Sequence, residues 1–456
     1  MYYRIVIFLV ISVSFSSCTW LENRDNPYIS DEITFSEHIA PIIHQNCTPC
    51  HRPGEAGPFK LISYHDVAKR SKMLKEVVET KYMPPWPADR NYSTFLNEWG
   101  LSDDEIYLIQ AWVTQGSQIG EKDQVPSPPS YPSGSMLGEP DMVLKMSDPY
   151  LIKGNNTDQF MVVKIPYELS EEKYVKAIEF VPDNRKLLHH MNGHVVQYDE
   201  GKKATIYGGK RAVTYDRSIP QHLLYMELDI LNDDGTYPYL TSSVVNYLPG
   251  SVNTQYPEGI GGITLRKRGH FLLKDVHYGP TPIDTVDQSS INVFFTDKAP
   301  ERPVSEILLG TLGATKVEPP LVIPPNEIKT FSTKWKVPFD LSVLTVNPHM
   351  HLLGKSIKAY AVSVENDTTN LIYIPNWNFR WQFFYTYPKI LKITEGSVIY
   401  IHATFDNTLD NPENPFNPPR TIRERKGSMG TTDEMVQFII TYLPYEEGDE
   451  AIELAP

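Results

Sequence analysis

Cysteine is nearly missing: among 456 residues there are three, Cys18, Cys47 and Cys50. Once those three have tasks, no structural disulfide and no Cys-ligated zinc or blue-copper centre remains for the rest of the chain. Positive charge is also scarce, with 42 Lys and Arg against 56 Asp and Glu and no basic stripe, which excludes neutralisation of a nucleic-acid backbone. No internal repeat of fixed period is visible, and the apolar run from Ile5 to Val13 is too short to span a bilayer. What is present is apolar and aromatic material. Hydrophobic residues make up 41%, with 27 Tyr, 18 Phe and 7 Trp, too much for a disordered chain. The 38 Pro, with many Tyr, Val and Ile, favour short strands and long connections over helical bundles. At roughly 150 residues per domain, about three domains are expected.

Residues 1–17 carry one charge, Arg4, ahead of the apolar run and read as a signal peptide. Phe15-Ser16-Ser17-Cys18 resembles a bacterial lipobox with Phe15 where Leu is usual. Lipidation of Cys18 would anchor an exported periplasmic or cell-surface lipoprotein to a membrane without spanning it. A secretory peptide cleaved nearby, with Cys18 a stray thiol, is the alternative.

After a tether over 18–32, the segment 33–120 has helical patterns at Tyr64 to Thr80 and Asp103 to Gln115, the latter opening on a capping-box spacing, Ser102-Asp103-Asp104-Glu105. Residues 121–138 are Pro/Ser-rich and should form an extended linker. Beyond them, runs such as Phe160 to Ile165, Gly193 to Tyr198, Ile291 to Phe295, Ser356 to Val364 and Val436 to Tyr442 read as strands. About 320 residues exceed one sandwich, so two are expected, 139–305 and 306–456.

Cys47-Thr48-Pro49-Cys50-His51 is the C-x-x-C-H pattern of c-type haem attachment, with both thiols consumed as thioethers and His51 as an axial ligand. A C-x-x-C redox pair beside an accidental His is the alternative. Met83, followed by Pro84 and Pro85, sits where a second axial ligand on an extended loop is expected; His44 and His65 compete with it, and Met73 falls within a helical pattern. The segment resembles small bacterial cytochromes c over roughly 85 residues, mainly at the haem motif.

Five of the thirteen histidines are concentrated in the β region: His189-His190-Met191, His277-Tyr278-Gly279 and His349-Met350-His351. On a strand His349 and His351 share a face, whereas His189 and His190 diverge unless the strand twists or ends. His277 completes a possible three-nitrogen site with that pair. Packing or zinc binding is the plainer reading of all five. His194, His222, His270 and His402 read as ordinary sheet or surface residues.

These phrases resemble the copper type II, ascorbate-dependent monooxygenases, the family of peptidylglycine α-hydroxylating and dopamine β-monooxygenases. The resemblance implies one electron-transfer copper on His189, His190 and His277. It implies a second, oxygen-binding copper on His349, His351 and Met435, the Met of the Thr432-Asp433-Glu434-Met435 phrase. His351-Leu352-Leu353-Gly354-Lys355 extends the likeness. Where the peptide-amidating member has an Arg and a Tyr that hold its substrate, this chain has Asn347 and Ile439, which argues against peptide amidation. The expectation is therefore a small α-helical cytochrome c domain followed by two antiparallel, jelly-roll-like β-sandwiches. It would hold two copper ions and one covalent haem and hydroxylate a small organic or peptide substrate with O2. Ascorbate or a redox protein would be the electron donor. A non-catalytic haem and copper electron-transfer or copper-binding lipoprotein is the rival.

Overall fold

A computed structural model describes residues 32–131, 134–214, 219–249, 256–424 and 432–454. The expected signal segment, Cys18 and residues up to 31 lie outside the described residues. No helix among the described residues is long and apolar enough to cross a membrane.

The first unit is helical, with a π turn at Phe35–Ile39 and helices at Ala40–Asn46, Tyr64–Ala68, Ser71–Glu79 and Asp103–Thr114. Ser63 and Ser102 each close a full capping box, satisfying amide donors that a helix start leaves open. The expected single helix over 64–80 breaks at Arg70, whose backbone leaves the helical region and whose guanidinium lies 4.3 Å from the Phe59 ring centroid. Phe35, Ile39, Ile43, Val67, Leu74, Ile109 and Trp112 form this unit's core.

The remainder is antiparallel β-structure. One sandwich pairs the sheet of Met142–Lys145, Ser290–Thr296, Lys173–Val181 and Ile263–Leu265 with the sheet built on Gln159–Glu168, Arg268–Tyr278 and Leu188–Gln197. Its core runs through Met161, Ile165, Phe271 and Val293. The other sandwich has Ser305–Gly310, Gln437–Pro444, Leu341–His349 and Tyr385–Ile393 in one sheet and Ile328–Lys336, Val398–Asp406, Gly354–Val362 and Thr368–Ile374 in the second. Val398–Asp406 alternates buried and half-exposed residues along its length, the period-two signature of one face on a core. Among the described residues no strand of one sandwich pairs with a strand of the other. Arg302 ties them: its backbone exchanges hydrogen bonds with Gly259 and Gly261, while its guanidinium holds both carboxylate oxygens of Asp449 at 2.6 and 2.8 Å.

Two expectations about organisation are corrected. Residues 84–99 do not belong to the helical core. Ala88 and Phe95 are buried in the core of the second sandwich, where Phe95 packs on Tyr385 and Tyr387 at 5.1 and 5.3 Å. The amides of Asp89 and Leu96 bond the carbonyls of Tyr373 and Thr386. Nor is the start of the linker free: Lys122–Gln124 forms a 3-10 turn and the Tyr131 ring lies 3.9 Å from the Arg52 guanidinium. Local composition marked 121–138 as an extended linker, but Tyr131 is held against the helical unit by Arg52 and by the His44 carbonyl.

Phe95→Ala is accordingly expected to destabilise the second sandwich by about 3–5 kcal/mol, although residue 95 precedes it by more than two hundred positions. A fragment starting at Gly138 should melt well below the full chain. Equal melting of the sandwich in both proteins, followed by near-ultraviolet circular dichroism, would contradict the packing.

Candidate metal centres

The adjacent His189 and His190 converge through a β-bulge. On the neighbouring strand His277 pairs with His190 and Tyr278 with Leu188, so His189 is the extra residue and the local twist re-aims it. The His277 ring lies 4.8 Å from that of His189 and 4.9 Å from that of His190. It is stacked on Phe160 at 4.2 Å. Gly279 is required here, because a Cβ would stand 2.7 Å from His189 Nε2. The Gly of the His-Tyr-Gly phrase thus makes room for a ring of the first phrase.

Sequence reasoning missed Asp158. Its Oδ1 lies 2.7 Å from His277 Nε2, and Asp158, His189 and His277 bring donor atoms within 4.8 Å of one another. With His277 Nε2–H donating to Asp158, the Nδ1 lone pair is left facing His190 Nδ1 at 3.4 Å. That separation suits two ligands of one cation with bonds of roughly 2.0–2.1 Å. A carboxylate behind a ligating imidazole fixes its tautomer and raises its basicity. Nothing in the sequence near Asp158 signals this role.

On the second sandwich His349 ends its strand, and His351 lies beyond it rather than on the same strand face. The rings nonetheless meet at 5.1 Å and 90°. What holds them is Glu434, a fully buried carboxylate that accepts from the amides of His351 at 3.0 Å and Leu353 at 2.7 Å. It binds the His-x-His turn to the segment that carries Met435. His351 Nδ1 is 2.9 Å from the Asp433 carbonyl and His349 Nδ1 bonds Gln382 Oε1, so each ring commits its Nδ1 to a protein acceptor. Burial pushes the Glu434 carboxyl up to about 8.

Both clusters open into one cavity of about 1210 Å³, lined by His190 and Asn192 from the first sandwich and by Asn347, His349, His351, Met435 and Ile439 from the second. Trp86 and Trp99 contribute from the first 120 residues.

At the C-x-x-C-H motif both cysteines are unpaired, and the His51 Nδ1 bonds the Phe59 carbonyl at 2.9 Å, which leaves Nε2 available. Gly57 is needed beside it, since a Cβ would meet His51 Nδ1 at 2.8 Å. Burial pushes the Cys47 thiol up to about 12 and that of Cys50 to about 11. A dithiol redox pair needs the opposite shift, toward thiolate. Met83 is half-buried after Ser71–Glu79, with its amide bonded to the Val77 carbonyl. The remaining β-region histidines stay outside the clusters: His194 bonds the Thr241 carbonyl, His270 is held by Tyr198 and the Ile206 carbonyl, and His402 by Ser332 and Tyr360. His222 lies on the short helix Gln221–Glu227.

Residues 310–452, the second sandwich, match the family model for the copper type II ascorbate-dependent monooxygenase C-terminal domain. The match covers less than half of the chain and shows what this sandwich is similar to. No curated protein matches the chain. Two solved structures show partial likeness. That of PNGF-II is 8% identical, covers 65% of this chain and 59% of its own, and has a TM-score of 0.19. That of infectious bursal disease virus Gx strain is 12% identical, covers 72% and 86%, and has a TM-score of 0.15. At such scores neither bears on fold or chemistry.

Burial holds His189 down to about 4 and His349 to about 3, and it puts His190 well below its usual value. These imidazoles are neutral in the folded chain while unfolded ones, near 6.5, take up protons first. Stability of the metal-free protein therefore falls as pH drops from about 6.5 toward about 4. Protonation of His189, His190 and His349 should therefore add little pH dependence to copper uptake between about pH 7 and pH 5.5. Loss of half the bound copper by about pH 6.5 in equilibrium dialysis would contradict the burial argument.

Proposed function

We propose that this chain is a copper-dependent monooxygenase that hydroxylates a C–H bond of a small organic or peptide substrate with O2, drawing electrons through a c-type haem on its own N-terminal unit. The observation that carries the reading is one cavity lined by His190 of the first cluster and by His349, His351 and Met435, with His277, His349 and His351 each committing one nitrogen to a protein acceptor. His189, His190 and His277 would hold one copper, and His349, His351 and Met435 the other. Copper supplies the one-electron and oxygen chemistry when bound, imidazoles suiting both of its oxidation states and the thioether favouring Cu(I).

The chain's own residues account for the rest. Asp158 orients His277, Gln382 orients His349, and the Asp433 carbonyl with Glu434 fixes His351. Asn347, its amide held by the Phe383 carbonyl at 2.9 Å, and Ile439 line the cavity where the peptide-amidating member has an Arg and a Tyr, and Arg380 and Lys274 line it as well. Cys47 and Cys50 would anchor the haem covalently, with His51 Nε2 and Met83 as axial ligands. In this proposal residues 1–17 direct export, and a lipid on Cys18 anchors the protein to a bacterial membrane facing the periplasm or cell surface. The rival, pure electron transfer, does not call for a thioether at a cavity wall.

Met435→Ile keeps volume and apolarity, so the fold should lose at most ~1.5 kcal/mol. The His189/His190/His277 cluster should still take up copper. Substrate-stimulated O2 consumption with ascorbate, measured at an oxygen electrode, should collapse. Normal hydroxylation by this variant would make Met435 a core residue and remove the second site. Purified copper-loaded protein that consumes no O2 with any substrate would favour the electron-transfer reading.

A further inference from the structure

The geometry points to a fixed path for electrons into the His349/His351 pocket, running from the Cys47–His51 unit through Trp86 and along residues 379–385. It rests on the haem-and-copper reading above. Trp86 follows Met83 by three residues, and its ring packs on Phe383 at 5.6 Å and on Tyr385 at 5.3 Å. Trp381 stacks on Phe383 at 6.2 Å with an interplanar angle of 8°. The same stretch ends at both imidazoles: Phe379 stands edge-on to His351 at 5.7 Å, and Gln382 bonds His349 Nδ1. From Trp86 to either histidine, the route stays within one short piece of backbone and its packed rings.

Two further observations set this apart from plain packing. Trp86 Nε1 and Tyr385 OH are buried without a hydrogen-bond partner. A buried polar atom left unpaired is costly, and Phe at either position would fill the same space without that cost. The helical unit is also held on both sides, by residues 84–99 on the second sandwich and by an ion pair from Glu55 to Arg185 of the first at 3.8 Å. A donor held in this way needs no search by a flexible tether.

Each passage moves one electron. Ferrous haem becomes ferric, Cu(II) becomes Cu(I), and no bond or proton is exchanged. One passage would reduce the copper of this pocket, and the second electron that one hydroxylation with O2 requires would be held by the copper of the His189/His190/His277 cluster, reduced from the haem in a separate passage.

The test uses the full chain with haem and copper, kept free of oxygen and substrate. The haem is reduced in a flash while copper stays oxidised, and its reoxidation is followed in the visible band. Trp86→Leu should slow reoxidation by about an order of magnitude. Haem spectrum and copper content should be unchanged, while the melting temperature should fall because Trp86 packs on Phe95, Phe383 and Tyr385. Trp86→Phe, which keeps a ring, should lie close to the parent. Phe383→Leu should act in the same direction as Trp86→Leu and decides the matter if that variant melts early. Doubling the viscosity with sucrose should leave the parent rate unchanged. Parent-like rates in both Leu variants, or a parent rate that falls in proportion to viscosity, would overturn the fixed path and leave the haem-and-copper reading standing. Absence of covalent haem, or ferrous haem that persists beside Cu(II), would overturn both.

Discussion

The arrangement depends on how the outer nitrogens of the cavity histidines are spent. A neutral imidazole has one donor and one acceptor, so committing one nitrogen to a protein partner decides which nitrogen is left for a metal. His277 gives Nε2 to Asp158 and keeps Nδ1, whereas His349 and His351 give Nδ1 to Gln382 and to the Asp433 carbonyl. The two clusters therefore commit opposite nitrogens, and each is oriented before any ion arrives. Glu434 sits beneath the second cluster, where removing its carboxylate would leave two buried amides unpaired.

Such preorganised rings are useful only if the two sandwiches stay in register. Arg302 and Asp449 provide one tie, and residues 84–99 provide another by burying Ala88 and Phe95 in the second sandwich. The segment after the Cys-x-x-Cys-His motif is thus part of the wall of the cavity between the histidine clusters, and Trp86 belongs to both. Covalent continuity in the sequence and packing in space divide the chain differently. The physical reason is that aromatic burial, worth several kcal/mol for a Phe, outweighs the small entropic cost of a longer loop.

Much was legible in the sequence because the signals were local. Runs rich in β-branched and aromatic residues located strands such as Phe160 to Ile165 and Gly193 to Tyr198, Ser-x-x-Glu located the helix Asp103–Thr114, and the His phrases located residues that the fold brings together. The parts that were not legible depend on partners far away along the chain. Asp158 lies 119 residues from His277, Gln382 lies 33 from His349, and Phe95 meets Tyr385 across almost three hundred. The expectation that His349 and His351 share a strand face also failed, because the strand ends at His349 and the Glu434 clamp, rather than strand geometry, aims His351.

The central claim is that these side chains hold two coppers across one cavity with a haem iron beside it. Anomalous diffraction from crystals of the full chain, recorded on either side of the copper, zinc and iron absorption edges, tests it most directly. The account predicts one copper peak among His189, His190 and His277, a second among His349, His351 and Met435, and an iron peak next to His51. Zinc at these histidines, or copper bound elsewhere with both clusters bare, would contradict it.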